Sequence, residues 1–166
     1  MATESDRARI LFDSGRMFYG RLPRAIVMGA GILLIGIFLV MILTGALQSE
    51  PVAGVSLGVA IVVIIFLAFG FSRIHVFENE VRLAWFPFYR CRIPITAVHS
   101  AASANIGLRY GFGLRFGGFG LGIIQDIGPA VQLDSGRGYL LSLGTAERQE
   151  RFLAALAAAG VDVHRP

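Results

Sequence analysis

Lysine is absent from this sequence, and cysteine occurs once, as Cys91. Without lysine the Walker phosphate loop cannot be completed, and the glycines at 111, 113, 117, 118, 120 and 122 fit neither it nor G-x-G-x-x-G. A lone cysteine excludes an intramolecular disulfide and agrees with a reducing compartment for the large C-terminal part. Set between Arg90 and Arg92, Cys91 reads as a small core residue opposite two exposed arginines, with an activated thiol as the alternative. Histidine is scarce too: His75, His99 and His164 have neither HExxH nor Cys/His spacing, so no metal site is expected. No nucleophile stands beside a base, and Glu78 and Glu80 read as a solvated turn, so neither an enzyme nor a cofactor is expected.

Charge is nearly absent from residues 25 to 72, where Glu50 alone carries one. It divides the stretch into two uncharged segments, each giving roughly 33 to 37 Å of helix against a hydrocarbon core of about 30 Å. Two spans are expected, at about 25–47 and 52–72, forming a helical hairpin in the bilayer. Thr44-Gly45-Ala46 has the small-x-small form of a cleavage site, but the apolar stretch is too long for a signal peptide and a second span follows at once. Gly54 and Gly58 form a GxxxG pair that admits a close neighbouring helix, either the other span or a second copy in a homo-oligomer.

What charge there is comes as arginine on the flanks of this hairpin, with a net value of +4. Arg7, Arg9, Arg16, Arg21 and Arg24 precede it, Arg73, Arg82, Arg90 and Arg92 follow, and the connecting Gln48-Ser49-Glu50 has none. The positive-inside rule then places both termini in the cytoplasm and the chain in the inner membrane. A basic balance of this kind serves membrane orientation, and nucleic acid is not expected as a partner. Residues 1–24 form a cytoplasmic leader in which Phe12, Met17, Phe18 and Tyr19 interleave with arginines. It suits an interfacial helix or collar, or a leader whose aromatics mark the headgroup belt, with Pro23 at a helix start.

Residues 73–166 read as strands closed by one helix. Arg73 to Phe77, a turn at Glu78-Asn79-Glu80 with Asn79 tolerant of positive φ, and Val81 to Phe86 make a hairpin that leaves the second span without a linker. Val81, Leu83 and Trp85 share one of its faces and Arg82 and Ala84 the other. Phe88 to Ile93 resumes after Pro87, with Arg90 and Arg92 on a common face, and Ile95 to Asn105 reads as a loop or a helical turn. From Gly107 to Gly117 large apolar residues alternate with Gly or Arg, and after Gly117-Gly118 the phase reverses. A strand is expected there, turning at Gly117-Gly118 so that Phe116 faces Phe119, or bulging at that point. A third hairpin joins Ala130–Leu133 to Tyr139–Leu143, and Thr145 caps a helix from about Ala146 to Ala159 that Gly160 ends.

Three stretches carry a family likeness: Ile74 to Ile93 with its Arg92-Ile93-Pro94 end, the Gly111-Phe112-Gly113-Leu114-Arg115 run, and Ala130 through Thr145 into the helix. In these the chain resembles the bacterial membrane-anchored PH-like (pleckstrin-homology-like) family, in which a two-helix hairpin precedes a small antiparallel β-barrel or roll plugged by one C-terminal helix. The resemblance implies a protein that acts by binding. It departs from phosphoinositide-binding members at Glu78-Asn79-Glu80, an acidic loop where those carry basic residues. The function expected is a membrane-tethered scaffold or regulator with a protein partner, and the alternative is a small oligomeric channel or transporter capped by the barrel. Against that alternative, neither span holds an ionisable residue. Arg82, Trp85, Phe86, Phe88, Arg90 and Arg92 are the expected contacts with the bilayer surface and its anionic headgroups.

Overall fold

Strict alternation along Val81 to Phe86 puts three large apolar side chains on one side of a strand, and that period organises the first of two sheets. The computed structural model describes residues 9–164 of the chain, so Arg7 lies outside the described residues. The order is β1 (Ile10–Asp13), β2 (Met17–Phe18), α1 (Arg21–Leu43), α2 (Ala46–Ser49), α3 (Pro51–Phe69), β3 (Phe71–Phe77), β4 (Glu80–Phe86) and β5 (Tyr89–Pro94). It continues with β6 (Ser100–Ile106), β7 (Gly113–Gly117), β8 (Gly120–Ile124), β9 (Gly128–Asp134), β10 (Gly138–Ser142), α4 (Ala146–Ala158) and β11 (Asp162–His164). These divide into a helical unit, Arg21–Gly70, and a sheet unit made of the residues up to Gly20 and those from Phe71 onward.

In the helical unit, α1 begins at Arg21 with Pro23 in its first turn, where a missing N–H costs nothing. Among the described residues it is the one helix long and apolar enough to cross a membrane. A second, shorter apolar helix, α3, packs against it. Both leave large apolar side chains exposed, among them Ile32, Leu33, Val52 and Val55. Gly45, at φ 72, and the Thr44 hydroxyl, which donates to the Val40 carbonyl at 2.9 Å, end α1. The expected connecting loop is partly helical, as α2. A Cβ at Gly58 would meet nothing within 4 Å, whereas one at Gly31 would lie 3.2 Å from Ile64 Cγ2. One tight approach between the helices is thus at Gly31; Gly54 is buried and Gly58 is half-buried.

The first sheet has the order β1-β3-β4-β5, with β2 also on β3, and every pairing is antiparallel. The second has the order β11-β6-β9-β10-β8-β7, in which β8 with β10 and β6 with β11 are parallel. The first sheet is therefore antiparallel and the second mixed, and no barrel is closed among the described residues. Helix α4 packs against β1 and β3 of one sheet and β6, β9 and β11 of the other. Its Phe152 and Leu156 are completely buried, worth roughly 1.5 to 3 kcal/mol each by area. Thr145 caps it as expected, its hydroxyl accepting from the Arg148 N–H at 3.3 Å, and Gly160 follows at φ +89.

Four expectations are corrected. Residues 10–13 and 17–18 are strands of the first sheet rather than an interfacial helix, because β3 offers them an unpaired edge: Phe12 faces Val76 and Phe18 faces Phe71. Ser100–Ile106 is a strand, not a loop; its small residues fit the interior of the second sheet between β9 and β11. The alternation from Gly107 does not become one strand, since Leu108–Tyr110 is a single helical turn and Gly111 turns the chain at φ +68. Tyr110, Phe112 and Phe119 instead cover a buried cluster, Ile106, Ile124, Ala130 and Leu140. Finally, the β7–β8 turn is Gly118-Phe119, with Gly117 facing Gly120 and Phe116 facing Leu121. Positive φ falls at Gly120, not at Gly117 or Gly118, and no non-glycine residue, Asn79 included, adopts it among the described residues.

Candidate functional site

The period of two that buries Ile74, Val76, Val81 and Leu83 pushes every intervening residue of β3 and β4 onto the opposite face. Register then makes rows: Arg73 faces Ala84, which faces Arg90, and His75 faces Arg82, which faces Arg92. Four guanidiniums thus converge on one sheet face, around a hollow of about 270 Å³ over Ala84. Like charges directly opposite, as Arg82 and Arg92 are, oppose sheet formation, so the core beneath must supply the stability of these strands.

Two carboxylates answer these charges. Asp13 on β1 receives Arg73 Nη2 at 2.7 Å and Arg73 Nε at 3.2 Å. The Arg73 hydrogen bond holds the Asp13 carboxyl at about 2, against the opposing effect of burial. His75 Nε2 lies 3.0 Å from the same carboxylate without forming a hydrogen bond, and burial pushes its pKa down. Arg82 pairs with Glu80 and lies 4.4 Å over the Phe77 ring. Arg90 and Arg92 are exposed and have no ion pair among the described residues.

An aromatic edge adjoins the arginines. Phe71 stacks on Phe86 at 5.0 Å and meets Phe18 at 5.9 Å, and Arg16 lies 5.2 Å over Phe71. Phe18 and Phe86 are about half exposed and Phe88 more so. Trp85 is the correction: at 6% exposure it is a core residue beside Leu83 and offers no anchor to a bilayer. Of the expected surface residues the structure thus brings Arg82, Arg90 and Arg92 together, sets Phe86 at the end of the same strand, and removes Trp85.

Sequence reasoning missed Arg73, His75 and Asp13 as members of this face. Extending the alternation back through Phe71, Arg73 and His75 would have found the first two; Asp13 joins across sixty residues and leaves no local signal. Cys91 is half-buried on the inward row with Leu83, its Sγ 3.8 Å from the Tyr139 hydroxyl. Among the described residues no group of three or more His, Cys, Asp or Glu is placed to hold a metal. No family model matches the chain, and comparison with curated proteins and with solved structures finds no match.

Proposed function

We propose that this chain is a membrane-tethered, non-enzymatic binding or scaffold protein. In this reading α1 and α3 both span the inner membrane as a hairpin, both termini are cytoplasmic, and the sheet unit is an open PH-like domain. The run of strands from β3 to β10 followed by α4, which packs on both sheets, supports the PH-like reading, with β11 added after the helix. The observation that carries the function is the arginine face: Arg73, Arg82, Arg90 and Arg92 against two carboxylates among the described residues, beside exposed Phe18, Phe86 and Phe88. Each arginine near an anionic leaflet gains about 1 kcal/mol, and the aromatic edge suits the headgroup region. The occupant of that face is the anionic surface of the bilayer, and a protein partner is recruited elsewhere on the unit.

The test uses the full chain, because a fragment starting at residue 73 would lack β1 and β2. In nanodiscs of anionic lipid, amide exchange in β4 and β5 is expected to be slower than in discs of uncharged lipid. High salt, or Arg82, Arg90 and Arg92 all changed to Glu, should remove the difference. Identical exchange in both discs at low salt refutes the lipid contact, and an export-only reporter active after residue 166 refutes the orientation.

A further inference from the structure

A second cavity, of about 310 Å³, lies in the sheet unit apart from the arginine face, and its lining has the chemistry of an anion site. Arg16 and Arg148 line it, both exposed and both without an ion pair among the described residues. Thr145, the N-cap of α4, lines it too, so the cavity opens at the positive end of a 13-residue helix. Thr145 Oγ1 satisfies the Arg148 N–H, which leaves the N–H groups of Ala146 and Glu147 with no acceptor inside the helix.

The independent observation is Gln125, in the cavity wall and only 3% exposed. Its Oε1 accepts from the Ser72 hydroxyl at 2.7 Å, while its Nε2 has no acceptor among the described residues. A buried amide donor left unpaired is costly and marks a missing partner. One carboxylate, Asp126, also lines the cavity. It is packed where a Cβ on Gly20 would stand, and its Oδ1 accepts from the Ile127 N–H at 3.0 Å. Ser142, the remaining polar group of the wall, is occupied with the Asp126 backbone. The lining thus offers two guanidiniums, helix-terminal N–H groups and one amide donor, against the single Asp126 carboxylate.

We propose that this cavity binds a phosphate group, with Arg16 and Arg148 as its counter-charges, the α4 N-terminus as its backbone cradle and Gln125 Nε2 as a buried donor to one oxygen. Arginine suits phosphate because its fork presents paired N–H donors, and a helix N-terminus adds a fixed positive potential. The phosphate can belong to a lipid headgroup or to a free phosphate ester. Phe18, which also lines the cavity, stands three residues ahead of Arg21, where α1 begins, and this favours the lipid. The lipid source rests on the membrane reading above; the phosphate chemistry does not.

The experiment follows unfolding by Trp85 fluorescence in the full chain, purified in a sugar-headed detergent free of phosphate. Inorganic phosphate and glycerol phosphate are the soluble probes, with chloride at matched ionic strength as the control. Both probes are expected to raise the midpoint above chloride, since a ligand of the folded state stabilises it by mass action. The double variant R16Q/R148Q should fold normally and lose that shift, whereas R82Q/R90Q/R92Q should keep it. This separates failure of the cavity from failure of the arginine face. Discs of phosphatidylglycerol and of a phosphate-free glycolipid then distinguish the sources. A higher midpoint in the phosphatidylglycerol disc that needs Arg16 and Arg148 assigns the lipid; equal midpoints, with a response to glycerol phosphate in both discs, assign a soluble ester. Shifts no larger than chloride gives, or shifts undiminished in R16Q/R148Q, overturn the proposal.

Discussion

Changing Gly120 to Ala tests the placement of the second sheet's strands most directly. Gly120 has φ +86, and a Cβ there would stand 2.0 Å from the Gly138 carbonyl oxygen, on a backbone that cannot swing aside. Two costs add. Holding alanine at positive φ costs roughly 1 to 3 kcal/mol. Moving the start of β8 from β10 to relieve the collision adds about 1 to 3 kcal/mol, the usual cost of overpacking. Reduced freedom of the unfolded chain returns about 0.4 to 1 kcal/mol, so the net loss is on the order of 1 to 5 kcal/mol, a large part of the roughly 5 to 15 kcal/mol that holds a domain folded. Two controls grade the argument. Gly15 has φ +66 with nothing within 4 Å, so G15A should lose only about 1 kcal/mol. Gly118 has ordinary φ and open space, so G118A should be neutral within about 0.5 kcal/mol. The assay is denaturant unfolding of the full chain in detergent, read through Trp85, the single tryptophan, which is buried in the sheet unit. A G120A that unfolds with wild type, or a G118A that costs as much, would refute the strand register and the parallel β8–β10 pairing with it.

Acid should weaken the sheet unit through Asp13. Its folded carboxyl sits at about 2, below the ordinary 3.8, so the unfolded chain takes up the proton first; the stabilisation is complete above about pH 4 and is lost as pH falls toward 2. Because the pair's side chains are 44% and 36% exposed, the effect is about 1 kcal/mol, and D13N should flatten that limb of a pH–stability curve. His75, lowered by burial, acts in the same direction below its ordinary 6.5, and H75Q should blunt the loss of stability in that window. Thr145→Ala should cost about 1 kcal/mol by uncapping α4, while Thr145→Ser should cost little in the same titration. Gln149 Nε2 donates to the carbonyls of Ala104 at 3.1 Å and Ala130 at 2.6 Å, so Q149L should lose about 1 to 3 kcal/mol and speed amide exchange in β6 and β9.

Local patterns in the chain were enough to place an apolar helix on either side of Glu50, though the first starts earlier, at Arg21, and ends earlier, at Leu43, than the uncharged stretch, together with the hairpin from β3 to β4, the hairpin from β9 to β10, and the cap and stop of α4 at Thr145 and Gly160. Each is dictated within a dozen or so residues, by the energy of exposing charge or backbone polar groups and by a fixed side-chain period. Three of the four arginines of that face were legible for the same reason, since Arg82, Arg90 and Arg92 follow from alternation and one turn. The rest depended on what packs against what. Tyr110 and Phe112 left the strand that their alternation promised because Ile106, Ile124 and Leu140 needed a cover. Trp85, an interfacial residue by type, went inward with Leu83 because its strand position outranks its chemistry. Asp13 reached Arg73, and Arg16 reached the end of α4, only because β3 had a free edge for strands drawn from before the helices. Pairing across such separations is set by the total surface that the whole sheet can bury, and no short window of sequence contains that sum.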